Sequence, residues 1–445
     1  MKVMRFRCAV LTVLASRAWA ARSVTPTVHE QGNPHLAVLK ELWLARTDRT
    51  GGVWSAALTN WSTAARRERK HRGEDGKYLV AFADDYGLGN RINIVTSTLA
   101  LAMATGRALV ILWPRTDCHH TNHGDCDPTS IDDLFVENET KANWGVGSHA
   151  HAAISRCRDD IKRRSRPLKR WALGDREDRK TADHLRTHPI DASWRSEDPV
   201  ICTYGYFYWG WALTCNHYLR KRWGLDPKRG NPWAEFGGLV NYLLGDVRYG
   251  IINRIHQVLQ KGTCDVGLHL RRADTLSADG KHAAATEKYK ARLEEALAGL
   301  EHPNVYIAAD HESKKTKWML LHYLQERPNT HLLTFGHGHV ADRQSTSGID
   351  DALAENFVLS SCATLIPRGT GASTFHDVAV ARAAYQQRWD ESRAAAFAFR
   401  DKDRPARPMI SPALCADLDL RDANRKAYQE KHRNATNAAN ATTGT

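Results

Sequence analysis

Two hydrophobic rhythms alternate along the chain. Short apolar runs at residues 78–83, 108–113, 265–270, 305–309, 331–335 and 364–366 read as strands buried on both faces. Between them, apolar residues recur every third or fourth position over 92–105, 286–300, 314–325, 349–362 and 372–385, the period of a helix with one face inward. A further helical region spans 233–259, and a short periodic stretch lies at 36–43. Strand, helix and strand in repetition build parallel sheets, so the pattern predicts an α/β protein with two such sheets, one from residue 78 and one from residue 265.

The 445 residues, 42% of them hydrophobic, suffice for two domains and exclude a disordered protein. The boundaries expected are a signal peptide at 1–20, a stem or lead-in at 21–75, an amino-terminal Rossmann-like domain at 76–240, a second at 241–395, and a largely disordered tail at 396–445. A net charge of +13 calls for an anionic partner without choosing between a polyanion and a nucleotide.

The amino terminus points to a compartment. Lys2, Arg5 and Arg7 precede a short apolar run, and Ala18-Trp19-Ala20 has the form of a signal-peptidase site. A cleaved signal is the reading favoured over a retained membrane anchor. Sequons at Asn60, Asn138, Asn434 and Asn440 agree with it, as do eight cysteines beyond the signal (118, 126, 157, 202, 215, 264, 362 and 415), an even set for an oxidising lumen. The expected location is the lumen of the secretory pathway, Golgi or endoplasmic reticulum, or outside the cell.

Candidate chemistry gathers at strand ends. Asp265-Val266-Gly267-Leu268-His269-Leu270 runs into Arg271-Arg272-Ala273-Asp274, and two arginine forks suit a diphosphate, although a basic loop paired to Asp274 would look the same. Asp310 ends the 305–309 run, where a carboxylate can accept two hydrogen bonds from guanine. The turn Gly369-Thr370-Gly371-Ala372-Ser373-Thr374-Phe375 opens a helix, a seat for phosphate. Gly87-Leu88-Gly89-Asn90-Arg91 after the first strand is either a tight turn or a place where backbone approaches a ligand; it matches neither the dinucleotide nor the phosphate-loop pattern.

Other stretches carry a plain reading beside a sharper one. Cys118 and Cys126 enclose three histidines, and a local disulfide is preferred there to zinc. The basic runs at 66–72 and 156–180 are solvated faces or a polyanion patch. The aromatic row from Tyr204 to Trp211 is core or a platform for sugar rings, with core favoured.

Three of these segments together, 267–274, 305–310 and 351–375, resemble the fucosyltransferase superfamily that groups α1,2-, α1,6- and protein O-fucosyltransferases; the 87–91 loop resembles its amino-terminal element. The resemblance covers roughly residues 78–385, thinly between 115 and 260. It implies a GT-B-like architecture, two Rossmann-like domains with parallel sheets facing across a cleft, the first on the acceptor side and the second binding GDP-fucose. It implies an inverting transfer of fucose to a glycan or glycoprotein hydroxyl, with no cofactor and no metal.

Residue by residue, the resemblance places Arg271 and Arg272 on the β-phosphate, His269 and Asp310 on the guanosine, and Ser373, Thr374 and Phe375 over the phosphates and base. Gly89, Asn90 and Arg91 approach from the other domain. Asp279 is the candidate catalytic base, with a solvent-loop acid as its plain alternative; Thr275 stands where the α1,6 members carry lysine. The partners expected are GDP-fucose and a glycan or glycoprotein, no nucleic acid, and a membrane only if the signal is kept. A related transferase using another nucleotide sugar, or a secreted polyanion- or glycan-binding protein on the same fold, is the alternative.

Overall fold

The structure, a computed structural model, describes residues 54–72, 77–83, 87–113, 184–204, 210–225, 232–244, 247–271, 281–310, 313–335, 346–366 and 373–385. The predicted helix at 36–43, the Cys118–Cys126 pairing, the basic run at 156–180, most of the aromatic row and the tail all lie outside these residues.

The chain opens with α1 (Ser55–Arg72), inside the segment read as a lead-in. Trp54, Leu58, Trp61 and Ala65 are buried at helical spacing, which lays one face of α1 on the core. Each indole satisfies its N–H on a distant carbonyl: Trp54 Nε1 donates to Glu235 O and Trp61 Nε1 to Arg107 O, both at 2.8 Å.

The first sheet follows. β1 (Tyr78–Phe82) leads through α2 (Leu88–Thr105) to β2 (Ala108–Leu112), and β3 (Val200–Tyr204) completes three parallel strands in the order β2-β1-β3. All five residues of β1 and of β2 are buried, which is why both read as unbroken apolar runs. α2 stops at Gly106, whose φ of 69° is the left-handed conformation a helix end commonly requires. β3 was not among the predicted strands: its Val-Ile-Cys-Thr-Tyr run passes directly into the aromatic row, with no turn signal to part the two. Thr203 gives β3 its polar anchor, donating to Val80 O at 3.1 Å and sharing a 2.6 Å hydroxyl contact with Thr98 of α2.

Between the sheets run α3 (Trp211–Thr214), α4 (His217–Trp223), α5 (Pro232–Leu244) and α6 (Tyr249–Leu259). Asn216 caps α4 through Oδ1, which accepts from Leu219 N–H at 3.1 Å. Arg220 of α4 reaches Glu235 in the first turn of α5, with both side chains buried and their closest approach 2.9 Å. Burial raises the Glu235 carboxyl to about 7, even though Arg220 pulls it down.

The second sheet has four parallel strands in the order β6-β5-β4-β7: β4 (Val266–Leu270), β5 (Asn304–Ala309), β6 (His331–Leu333) and β7 (Thr364–Ile366). Its helices are α7 (Lys281–Leu297), α8 (Lys314–Glu326), α9 (Thr346–Ser361) and α10 (Thr374–Tyr385). The pleat of β4 divides its residues. Val266, Leu268 and Leu270 join Leu293 of α7 and Leu320 of α8 in one core, while Gly267 and His269 point to the other face.

On that other face one continuous core joins the two sheets, and α10 is its central element. α10 packs on α9 of its own unit and on α5 and α2 from the other side. Gly237 of α5 makes this possible, because a Cβ there would lie 1.9 Å from the carbonyl oxygen of Ala381. Cys264, just before β4, is bonded to Cys362, between α9 and β7; a Cβ on Gly267 would stand 2.8 Å from the Cys362 sulfur. Cys202 and Cys215 are disulfide-bonded as well.

Candidate functional site

Parallel strands deliver their carboxyl ends to one edge of a sheet, and helices of a doubly wound sheet begin there. In the second sheet that edge collects the residues predicted from the motifs. β4 and β5 pair in parallel with His269 opposite Ala308 and Leu270 opposite Ala309. The Asp310 N–H then donates to Leu270 O at 3.3 Å, so Arg271 and Asp310 stand side by side where the two strands stop. Arg271 is half-buried and Asp310 buried.

Asp310 has a second task. Its Oδ1 accepts from Ser313 N–H at 3.0 Å and from Ser313 Oγ at 2.6 Å, closing the turn into α8. The carboxylate expected to read a base is thus already engaged by Ser313, the residue just before α8.

From the opposite side of the same edge comes the first turn of α10. Buried Ser373 accepts from His376 N–H through Oγ at 3.4 Å, and its carbonyl accepts from Asp377 N–H at 3.0 Å, so it starts that helix. Asp377, an acid in the first turn, already complements the positive helix end that was read as a phosphate seat. Phe375 is held by Asn356 of α9, whose Nδ2 donates to Phe375 O at 2.8 Å. Its ring lies 4.8 Å from that of His269, tilted by 38°. Of Thr374 the backbone alone is described, as the first residue of α10.

The predicted residues therefore divide by place. His269, Arg271, Asp310, Ser373 and Phe375 come to one edge of the second sheet. Gly89, Asn90 and Arg91 do not form a loop: α2 begins at Leu88, and they lie in its first turns because Asn90 N–H and Arg91 N–H already bond Gly87 O. Arg91 is fully buried, its guanidinium 5.2 Å from the centre of the Trp113 ring at the end of β2. These residues stand at the carboxyl edge of the first sheet. Arg272 and Asp279 lie outside the described residues.

Sequence reasoning passed over three buried ionisable groups near this edge. Lys317 of α8 and Glu355 of α9 approach within 3.9 Å, and both are buried. Burial lowers the Lys317 ammonium pKa against the pull of Glu355, and burial followed by the charge of Glu355 raises the Tyr306 phenol of β5. Lys317 follows the exposed Lys314 and Lys315 in α8, and Glu355 follows Asp350 and Asp351 in α9, so only a strict count of apolar-face positions could have singled them out. Asp351, in the 351–375 motif, pairs with Arg254 and fastens α9 to α6. His376 was also passed over; its ring is 6.4 Å from His269 and within 15° of parallel. Among the described residues no group of three or more His, Cys, Asp and Glu side chains is placed to hold a metal, and no helix is long and apolar enough to cross a membrane.

No family model matches the chain, and no curated protein matches it. Solved structures do. A mutant of Arabidopsis thaliana FUT1 in complex with GDP aligns over 74% of this chain and 77% of its own, at 16% identity and a TM-score of 0.51. The fucosyltransferase NodZ from Bradyrhizobium aligns over 69% of this chain and 92% of its own, at 17% identity and a TM-score of 0.43. The fold conclusion rests on the first of these. With two parallel α/β sheets, the polar strand ends of the second and the helix α10 packed on both halves, the chain has a GT-B-like fold, shared with the Arabidopsis protein.

Proposed function

We propose that the protein is an inverting glycosyltransferase that moves fucose from GDP-fucose to a hydroxyl of a glycan or glycoprotein. The observation that carries this reading is the meeting, at one edge of the second sheet, of Arg271, Asp310, His269 and Phe375 from separate motifs. The fold adds support, since the Arabidopsis protein that shares it was captured with GDP.

In this reading Arg271, with Arg272, holds the diphosphate by paired charge-assisted hydrogen bonds. The acceptor oxygen attacks the anomeric carbon as the bond from that carbon to the diphosphate oxygen breaks. The leaving GDP gains negative charge, and the guanidinium fork stabilises it where a metal would otherwise be used. Asp279 takes the proton of the acceptor hydroxyl. Asp310 and His269 orient the guanosine, and Ser373, Thr374 and Phe375 cover it. The first sheet faces the acceptor, with Gly89, Asn90 and Arg91 on its edge. The work takes place in the lumen of the secretory pathway or beyond it, which the Cys264–Cys362 disulfide and the oxidised Cys202 and Cys215 fit.

The test is turnover. Purified protein with GDP-fucose, EDTA and a panel of glycan acceptors should release GDP and yield a product one deoxyhexose heavier, with the opposite anomeric configuration. Transfer that depends on added divalent metal, or transfer from another nucleotide sugar in preference, would refute the reading as stated.

A further inference from the structure

The outer face of α8 carries an indole in open water. Trp318 is 63% exposed, more than any other large apolar side chain among the described residues, while Leu320 and Leu324 turn the inner face of the same helix into the core. Lys314 and Lys315, four and three residues earlier, are exposed on the side that Trp318 occupies. His322, four residues later, meets the indole ring at 5.8 Å and 64°.

The charge beside the indole is positive. α8 has no acid before Glu326, whose carboxylate lies 3.7 Å from His322 Nδ1. On α7, which packs against α8, Glu287 is paired with Lys290 and Glu294 with Arg327. The patch also lies close to the candidate donor edge. Ser313, the residue before α8, donates to Asp310, and at about 1.5 Å of rise per residue Trp318 stands roughly 7–8 Å along the helix from it.

A protein partner would need a contiguous apolar patch of a few hundred Å² or more. Trp318 does not supply one: the other large apolar side chains exposed among the described residues, Tyr218 and Leu300, belong to α4 and to the segment after α7. One ring flanked by two ammonium groups instead fits one sugar ring bearing a negative charge. The indole face covers the C–H side of the pyranose, and the lysines make charge-assisted hydrogen bonds to a carboxylate or sulfate on it.

We propose that Lys314, Lys315 and Trp318 form an acceptor subsite that holds an anionic sugar unit outward of the transfer point. The acceptor role rests on the transferase reading above; binding at the surface does not.

Calorimetric titration of the whole chain in EDTA with tetragalacturonate, and with the same sugar fully methyl-esterified, tests it in the wild type, in Trp318→Ala and in the double variant Lys314→Gln, Lys315→Gln. A parallel titration with GDP and a thermal midpoint accompany each protein. The acid should bind the wild type, and Trp318→Ala should lower that affinity by about tenfold. Esterification should weaken binding to the wild type and make little difference to the lysine variant. No binding of the acid by the wild type, undiminished affinity in Trp318→Ala, or equal binding of acid and ester would overturn the proposal and leave the nucleotide reading in place. Trp318-dependent sugar binding in a protein that binds no GDP would keep the surface and remove the transferase reading.

Discussion

His269 and Phe375 meet with ring centroids 4.8 Å apart, one at the end of β4 and the other in the first turn of α10. The contact joins a strand end that carries Arg271 to a helix that packs on both halves of the molecule. A donor bound at this edge would therefore touch the element that links the two sheets. Replacing Phe375 by leucine keeps apolar volume and removes the ring pair, a contact worth about 0.5–1.5 kcal/mol. GDP affinity should fall by calorimetry, and the thermal midpoint should drop by no more than about 2–4 °C, the share due to the lost ring pair. A drop in midpoint with full affinity would assign Phe375 to packing alone.

Asp310 is expected to do two things that substitutions can separate. Ser313→Ala removes the hydroxyl that donates to Oδ1 and should lower stability by about 0.5–1.5 kcal/mol, the usual scale for one hydrogen bond, without changing GDP affinity. Asp310→Ala should lower both stability and the preference for GDP over ADP. Equal effects of the two variants on every readout would reduce Asp310 to a structural anchor for Ser313.

Glu235 should give the fold a pH dependence of its own. Its folded value of about 7 lies above the ordinary value of 4.5, so the folded state binds this proton more tightly than the unfolded state does. The contribution is fully present below the ordinary value and is lost as pH rises through 7, with an upper bound of about 3 kcal/mol. Urea midpoints of the wild type should therefore decline between about pH 5 and pH 8, and Glu235→Gln should flatten that decline. Glu235→Ala should be far worse than Glu235→Gln, because it removes the group that faces the buried Arg220 guanidinium.

The close approach of α5 to α10 depends on one missing side chain. A β-carbon on Gly237 would strike the Ala381 carbonyl, a backbone atom that cannot swing aside. Gly237→Val should cost about 1–3 kcal/mol in denaturant unfolding. A variant as stable as wild type would show that the two helices can separate freely.

Much of this architecture was legible because buried parallel strands leave a plain trace. The run from Tyr78 to Phe82 and that from Val266 to Leu270 are buried on both faces, and each sits within a residue of its predicted place. Arg271 and Asp310 could be paired in advance because both follow such runs, and adjacent parallel strands end at one edge. Helix starts were less legible. Gly87 and Gly89 suggested a loop, but with Gly87 O accepting from Asn90 and Arg91 the backbone is already helical there. α1 escaped because its buried residues Trp54, Leu58 and Trp61 are spaced by alanine, serine, threonine and asparagine, which carry little amphipathic signal, ahead of the basic run at 66–72. β3 escaped because its neighbours are more aromatic than it is. His376 escaped because nothing local marks a histidine as the neighbour of a ring on another strand.

The claim at the centre is a metal-free guanine-nucleotide site at the end of β4, and a calorimetric titration of the purified protein with GDP, ADP and UDP in EDTA, alongside Arg271→Ala, tests it most directly. GDP-selective binding is expected in the wild type. The arginine variant should lose at least about tenfold, since one charge-assisted contact is worth roughly 1.5–3 kcal/mol. No binding to any of the three nucleotides, or an Arg271→Ala protein with undiminished affinity for GDP, would contradict the assignment.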